Sequence, residues 1–151
     1  MTQLLSDHDW AIRLFVYQFF VTHEHPPTIN DTATHFARST LEVENSYQRL
    51  HDNHTLFLNP GTHTIRMANP LSAVATPYKV HINGRQLWAN CAWDSLGIPA
   101  MLHADAQIEV TLPQSGEVIR YRIENVTLKA EGGLVHFPLP FNRWYDDLIH
   151  T

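Results

Sequence analysis

Three copies of one short motif dominate the first third of this chain, and each predicts the start of a helix. In each copy a serine or threonine stands three positions ahead of an acidic residue and directly before an apolar periodic segment. Side chains in this arrangement satisfy the backbone N–H groups that a helix start leaves free. The motifs are Ser6-x-x-Asp9, Thr28-x-x-Asp31 and Ser39-x-x-Glu42. They predict three successive helices, the first near Asp7 to His23.

The apolar residues of these helices indicate which faces are buried. The first helix is apolar around most of its circumference, so we expect it to be buried on most sides. Its expected core stripe is Trp10, Leu14, Tyr17 and Val21. The third helix places Val43, Tyr47 and Leu50 at positions i, i+4 and i+7, which predicts one buried face.

A hairpin is expected directly after the third helix. The segments 55–58 and 63–67 are joined by the turn residues 59–62, so residues 1–68 form a winged-helix-like module. Its candidate recognition helix, Leu41 to Asp52, carries three acids and one arginine, the wrong balance for a groove lined by phosphates. We therefore favour a packing module, and a winged-helix transcription regulator is the last of our alternatives.

The composition of the 151 residues limits the class of protein. With 44% hydrophobic and 17% charged residues, the chain is too apolar to be disordered, and its longest apolar run is too short to span a bilayer. The formal net charge of −5 argues against nucleic acid or a membrane as a partner. The N-terminus lacks the features of a secretory signal, and a single cysteine fits a reducing compartment, so we expect a cytoplasmic protein.

The second half has the pattern of an antiparallel sheet. Residues 69–77 form a proline-bounded connector, and residues 78–151 form the second domain. Strands are expected at 78–82, 107–112, 118–123, around 126–128 and at 134–137, with a helix from Leu87 to Leu96. The expected fold class is α+β: a three-helix winged-helix-like module followed by an antiparallel sheet that carries this helix.

That helix would carry the only cysteine of the sequence. Cys91 and Asp94 are three residues apart and would share one helix face, within reach of a common small ligand. A position near the helix N-terminus would lower the pKa of the thiol. Two ordinary readings stay open: Cys91 as a small buried residue, and Asp94 as a carboxyl bonded to backbone amides.

The residues around this pair resemble a known family. The runs 83–88, Cys91-Ala92-Trp93-Asp94 and Ile98-Pro99-Ala100 are similar to the central segment of the alkylmercury (organomercurial) lyases. The resemblance implies that Cys91 binds the mercury of the substrate and retains it as product, and that Asp94 helps to deliver a proton to the leaving carbon. Mercury is a soft cation that prefers thiolate ligands.

Apolar neighbours of the pair are expected to wall a pocket for an alkyl or aryl group, or else to be plain core. They are Trp88, Trp93, Leu96 and Ile98.

The resemblance also implies a second cysteine, which this sequence lacks. The run from Val135 to Thr151 is similar to a segment that leads into that cysteine in some family members, and the turn 113–116 stands where a typical lyase has a further one. We therefore expect a shortened relative, or a second thiol from a small molecule or a partner chain. The segment from Trp144 to Asp147 either closes over the site or packs.

Two functions from different classes follow. The first is protonolytic cleavage of a carbon–mercury bond by Cys91 and Asp94, weak or dependent on an external thiol. The second is a non-catalytic binding protein for a soft metal or a small apolar ligand on the same fold. The expected partners are a small organomercurial or a soft metal ion and, for the enzyme, a small thiol. No cofactor is expected.

Overall fold

Each of the three predicted helix starts is a helix start in the structure. The computed structural model describes residues 4–130, 132–137 and 139–146. Helices α1 (Asp7–His23), α2 (Ile29–Phe36) and α3 (Thr40–Asp52) follow caps at Ser6, Thr28 and Ser39. In α1 the Asp9 backbone N–H donates to Ser6 Oγ over 3.2 Å, and the Ser6 N–H donates to Asp9 Oδ2 over 2.9 Å. The three motifs therefore set the frame of the N-terminal part.

The buried face of α1 differs from the predicted stripe. Ile12, Val16 and Phe20 are fully buried, whereas Trp10 and Leu14 are 47% and 59% exposed. Apolar residues surround this helix, so periodicity alone could not choose the face. The buried face of α1 also carries Asp9, about one turn before Ile12. Asp9 is fully buried and forms an ion pair of 2.7 Å with Arg49 of α3. The stripe predicted for α3 is confirmed, since Val43, Tyr47 and Leu50 are fully buried.

One antiparallel sheet of eight strands runs through both halves of the chain. The order across the sheet is β1-β2-β3-β5-β4-β6-β7-β8. The strands are β1 (Phe57–Leu58), β2 (Ile65–Ala68), β3 (Leu71–Ser72), β4 (Tyr78–Ile82), β5 (Arg85–Ala89), β6 (Ala106–Thr111), β7 (Val118–Glu124) and β8 (Thr127–Lys129). The architecture is α+β, as expected. Segment 69–77, expected to be a connector, contains β3, which pairs with both β2 and β5.

The helix predicted from Leu87 to Leu96 is wrong in its position. Residues 85–89 form β5, and helix α4 (Ala92–Leu102) begins only after it. Asn83 and Gly84 have φ values of 51° and 74°, the left-handed turn that joins two strands of a hairpin. Ile82 therefore pairs with Arg85, and the chain must continue as a strand before any helix can begin.

The strand expected at 134–137 is also absent from the described residues. Residues 132–137 have no regular structure, and the next element is a 3₁₀ helix, Phe141–Asp146. Aromatic contacts hold this segment instead of a strand ladder, because Phe137 packs on Trp93 and Trp144. We call residues 132–137 and 139–146 the C-terminal strap.

A single hydrophobic core joins the helices to the sheet. It includes Leu50 and Leu56 from the N-terminal part together with Val80, Leu87 and Ile108 of the sheet. Helix α4 packs on β4, β5 and β6, so its first turn lies at the end of β5. In the described part of the chain, no helix is both long and apolar enough to cross a membrane.

Candidate active site

Cys91 is the N-cap of α4 and takes the place that serine or threonine has in the first three helices. Its backbone is extended, with φ −148° and ψ 179°, and its Sγ accepts a hydrogen bond of 3.4 Å from the Asp94 N–H. Cys91 thus supplies the first half of a capping motif, with sulfur in place of oxygen, whereas the Asp94 carboxyl group accepts from Asn90 and not from the Cys91 backbone. The cap directs the sulfur and the carboxyl group of residue 94 to the same helix start.

Asn90 holds the carboxyl group of Asp94. Its Nδ2 donates to Asp94 Oδ2 over 3.1 Å and to Asn69 Oδ1 over 2.9 Å. Its own Oδ1 is buried and has no hydrogen-bond partner among the described residues. The amide therefore acts as a donor toward the site and fixes one oxygen of the carboxyl group as an acceptor.

The polar contacts continue from the site to α1. The Tyr17 hydroxyl donates to the backbone carbonyl of Asn69 over 2.7 Å, and Arg13 Nη2 donates to the Tyr17 hydroxyl over 3.1 Å. The Arg13 guanidinium also lies 4.6 Å from the centre of the Tyr17 ring. The N-terminal helix thus supports the loop at Asn69 that orients Asn90.

Burial raises the pKa of both the Cys91 thiol and the Asp94 carboxyl group. It raises the pKa of Asp94, and the hydrogen bond from Asn90 offsets only part of this effect. Burial also raises the pKa of the Cys91 thiol, and the nearby Asp94 carboxylate adds to the increase. The expectation that the helix start lowers the thiol pKa is wrong, because the Asp94 N–H favours the thiolate less than burial disfavours it.

The comparison with Asp9 shows how the environment of a capping acid decides its charge. Asp9 occupies the same position in α1, but Arg49 and the Ser6 backbone donate hydrogen bonds to it and hold its pKa well below the usual range. Asp94 has no cationic partner among the described residues, and its carboxylate is favoured by the neutral Asn90 amide and the Cys91 thiol alone. Asp9 therefore keeps its charge at lower pH than an ordinary aspartate, whereas Asp94 binds a proton more readily than one.

Cys91 and Asp94 open onto a cavity of about 330 Å³. Strands β2, β3 and β4, the start of α4 and the C-terminal strap form its wall. The lining residues are Arg66, Met67, Asn69, Ser72, Val74, Thr76, Tyr78, Asn90, Cys91, Ala92, Trp93, Asp94, Val135, His136, Phe137 and Trp144. This volume lies at the small end of the usual range for small-molecule sites.

Three aromatic rings form one side of the cavity. Trp93 and Phe137 meet edge to face with ring centres 6.0 Å apart, and Phe137 stacks on Trp144 at 5.3 Å. Tyr145 stacks on His54 at 4.2 Å on the other side of the strap. Trp144 thus lines the cavity. It belongs to the segment from Trp144 to Asp147, which we expected either to close over the site or to pack, and Asp147 lies outside the described residues.

The four residues expected to wall the pocket lie in different environments. Trp93 lines the cavity and is 54% exposed. Trp88 lies on β5 beside Lys79, whose Nζ is 5.5 Å from the ring centre. Ile98 is fully buried in the core, and Leu96 packs against that core. Closeness in sequence failed as a guide here because successive residues of a helix point in different directions.

Sequence reasoning did not identify Asn90, Arg66 or His136 as part of the site. Asn90 directly precedes Cys91 in the sequence, and this adjacency is the signal that could have identified it. Arg66 and His136 come from distant segments, so no local spacing points to them. Within the described residues, no group of three His, Cys, Asp or Glu side chains could hold a metal ion.

Comparisons with known proteins agree with the fold. The family model for alkylmercury lyase (MerB) matches residues 71–148. The alkylmercury lyases of Bacillus cereus and Clostridium butyricum are each 30% identical to this chain over 97 residues, which are 64% of this chain and 42% of each relative. The match thus spans about two fifths of the length of these curated relatives.

A solved structure has the same fold. The crystal structure of the mercury-bound form of MerB2 matches with a TM-score of 0.66 and 23% identity, covering 83% of this chain and 60% of that one. The family-model match includes every strand from β3 to β8 and the whole of α4 with its capping motif. This chain belongs to the alkylmercury lyase family.

Proposed function

We propose that the protein cleaves a carbon–mercury bond by protonolysis, with Cys91 as the mercury-binding sulfur and Asp94 as the proton carrier. One observation carries the proposal: a thiol and a carboxyl group, both with a raised pKa, lie together at a helix start on the wall of a small, partly aromatic cavity. Mercury binds sulfur more strongly than oxygen or nitrogen ligands, and the carbon that leaves needs a proton.

The raised pKa values give the two groups complementary roles. When mercury binds Cys91, the S–H bond breaks and the proton passes to the Asp94 carboxylate. Asp94 then donates this proton to carbon while the electron pair of the carbon–mercury bond forms the new C–H bond. The products are the hydrocarbon and mercury(II) on the Cys91 sulfur, and Asp94 is again a carboxylate beside the metal.

A second sulfur is needed to remove the mercury. The sequence has one cysteine, and Met67 contributes the other sulfur atom of the described cavity wall, a neutral thioether. A thioether is a soft ligand, but it carries no charge and binds mercury(II) less firmly than a thiolate. We therefore assign the removal of mercury to an external small thiol.

A non-catalytic binding protein is the second candidate function. The single cysteine favours it, because one thiolate is enough to hold mercury but not to pass it to a second protein sulfur. The same cavity would then hold a soft metal ion or a small apolar ligand.

Release of hydrocarbon separates the two functions. Ethylmercury and an excess of a small thiol are mixed with the protein, and ethane is measured by gas chromatography. The enzyme releases ethane over many turnovers, whereas the binding protein retains one mercury per chain and releases none. Asp94→Asn should stop release and leave mercury binding intact, and the exposed acid of α1 provides a matched control, Asp7→Asn. Undiminished release from Asp94→Asn would assign the proton to another group.

A further inference from the structure

One cation of the cavity wall has no partner among the described residues. Arg66 lies in β2 and lines the same cavity as Cys91 and Asp94. Its backbone carbonyl accepts from the Ala73 N–H, so the strand is held in place. Within residues 4–130, 132–137 and 139–146, its half-buried side chain makes no hydrogen bond and no ion pair. The other arginines of the sheet, by contrast, contact acceptors, as Arg120 does with Glu109 over 3.0 Å.

A half-buried guanidinium without an acceptor is suited to an anionic ligand. Its five N–H donors match the two oxygens of a carboxylate, and partial burial strengthens the contact relative to water. Among the described lining residues, Arg66 is the one with a permanent positive charge. An unsubstituted alkyl or aryl group on mercury carries no negative charge, which directs attention to the thiol as the part of the reacting complex that carries the anion.

We propose that Arg66 binds the carboxylate of the small thiol that serves as the second sulfur of the reaction. This inference rests on the proposed function and names its co-substrate class: a low-molecular-weight thiol that carries a carboxylate group. The organomercurial would enter as the mercury adduct of such a thiol, since soft mercury in the presence of excess thiol is bound to sulfur.

The position of Arg66 gives the thiol a role before and after cleavage. Cys91 sulfur bonds to mercury, its proton passes to Asp94, and the thiolate of the adduct leaves with its electron pair. Arg66 retains that thiolate through its carboxylate. After Asp94 has protonated the carbon, the retained thiolate bonds to mercury. A second small thiol then gives its sulfur to mercury and its proton to the departing Cys91 sulfur, so the products are mercury bound to two small thiolates and the Cys91 thiol. These steps require no external oxidant or reductant.

Space for the rest of the thiol lies beside the cavity. A second cavity of about 900 Å³ shares Arg66 and Met67 with the first and is lined also by His51, His54 and His63. Arg66 therefore lines both the cavity that holds Cys91 and a larger, more open one. We expect the remainder of a longer thiol to extend into this second cavity.

The experiment compares three thiols of similar size and different charge. Ethane release from ethylmercury is measured with mercaptoacetate, 2-mercaptoethanol and cysteamine at matched thiolate concentration. We expect release about five- to tenfold faster with mercaptoacetate than with 2-mercaptoethanol at subsaturating thiol, and slowest with cysteamine. Arg66→Gln should reduce the ratio of the first two rates to about one, and Arg66→Lys should restore part of it.

Controls separate charge recognition from folding. Arg38→Gln removes an exposed arginine that pairs with Glu42 at a distance from the cavity, and this variant should keep the full ratio. Thermal unfolding of the Arg66 variants shows whether they fold. Equal rates with all three thiols in the wild type would overturn the role of Arg66 alone, whereas no release with any thiol would overturn the proposed function with it.

A last arm tests where the carboxylate resides. Phenylmercury and 4-carboxyphenylmercury are compared with the uncharged thiol. Equal rates support recognition of the thiol. A gain for 4-carboxyphenylmercury that disappears in Arg66→Gln, together with no preference among the thiols, would assign the carboxylate to the organic group and overturn the proposal.

Discussion

The backbone N–H of Asp94 donates a hydrogen bond of 3.4 Å to Cys91 Sγ, so the proposed mercury ligand is also the cap of its own helix. The spacing of Cys91 and Asp94 has two consequences at once. It places the two side chains at one end of α4, and it leaves the thiol in a position where serine would cap the helix better. Structure and chemistry therefore make opposite demands on residue 91.

Replacement of Cys91 should separate these demands. Cys91→Ser supplies a stronger N-cap, so we expect the free energy of unfolding to stay the same or to rise by about 0.5 to 1 kcal/mol, while mercury binding is lost. Cys91→Ala lacks both cap and ligand and should be about 1 kcal/mol less stable than Cys91→Ser. Urea unfolding and mercury retention after gel filtration measure the two effects. Lower stability of Cys91→Ser than of Cys91→Ala would contradict the capping role.

Asn90 should control the protonation of Asp94. Its amide donates to Asp94 Oδ2 and so favours the carboxylate, which means that Asn90→Ala raises the pKa of Asp94 further. The upper pH limit of hydrocarbon release should then move to higher pH. The ¹³C shift of the Asp94 carboxyl group during a pH titration measures the change. Gln48→Ala, which removes an amide that donates to the exposed Asp52 over 2.8 Å, should leave the titration of Asp94 unchanged.

The sequence predicted the parts of this fold that depend on local signals. The capping residues Ser6, Thr28 and Ser39 satisfy donors within four residues, and the helices begin where they stand. Strand β4 and most of β6 and β7 also match their alternating patterns. The sequence does not predict the position of α4, because the apolar run after Asn83-Gly84 has no clear helix or strand period. The turn at Asn83-Gly84 is the local signal that indicates a second strand there.

The cavity could not be predicted in the same way. Cys91 and Asp94 belong to one motif, but Arg66, Tyr78 and Phe137 reach the cavity from three separate segments. Their positions depend on the order of strands in the sheet and on the path of the C-terminal strap. A resemblance to a family can identify the motif, whereas the remaining wall requires the three-dimensional arrangement.

The two capping acids of α1 and α2 should differ strongly in their contribution to stability. Asp9 is fully buried and paired with Arg49, so Asp9→Asn removes an ion pair and leaves the guanidinium without its partner, at a cost of about 3 kcal/mol. Asp31 makes the same capping contacts at the surface, where water replaces them, so Asp31→Asn should cost much less. Chemical unfolding of both variants at neutral pH gives the comparison. Similar losses would show that the buried pair adds nothing beyond the cap.

Asp94 should reduce the stability of the folded protein at neutral pH. Its folded pKa is raised, so between the unfolded and the folded pKa the native state binds more protons than the unfolded state, and stability falls as pH rises through this window. Asp94→Asn keeps the hydrogen-bond geometry without the buried charge. The variant should therefore have a higher melting temperature than the wild type above the window and the same melting temperature at pH values below the ordinary pKa of aspartate. Calorimetry from acid to neutral pH measures the difference, and a gap that is constant across this range would mean that the charge of Asp94 is not the cause.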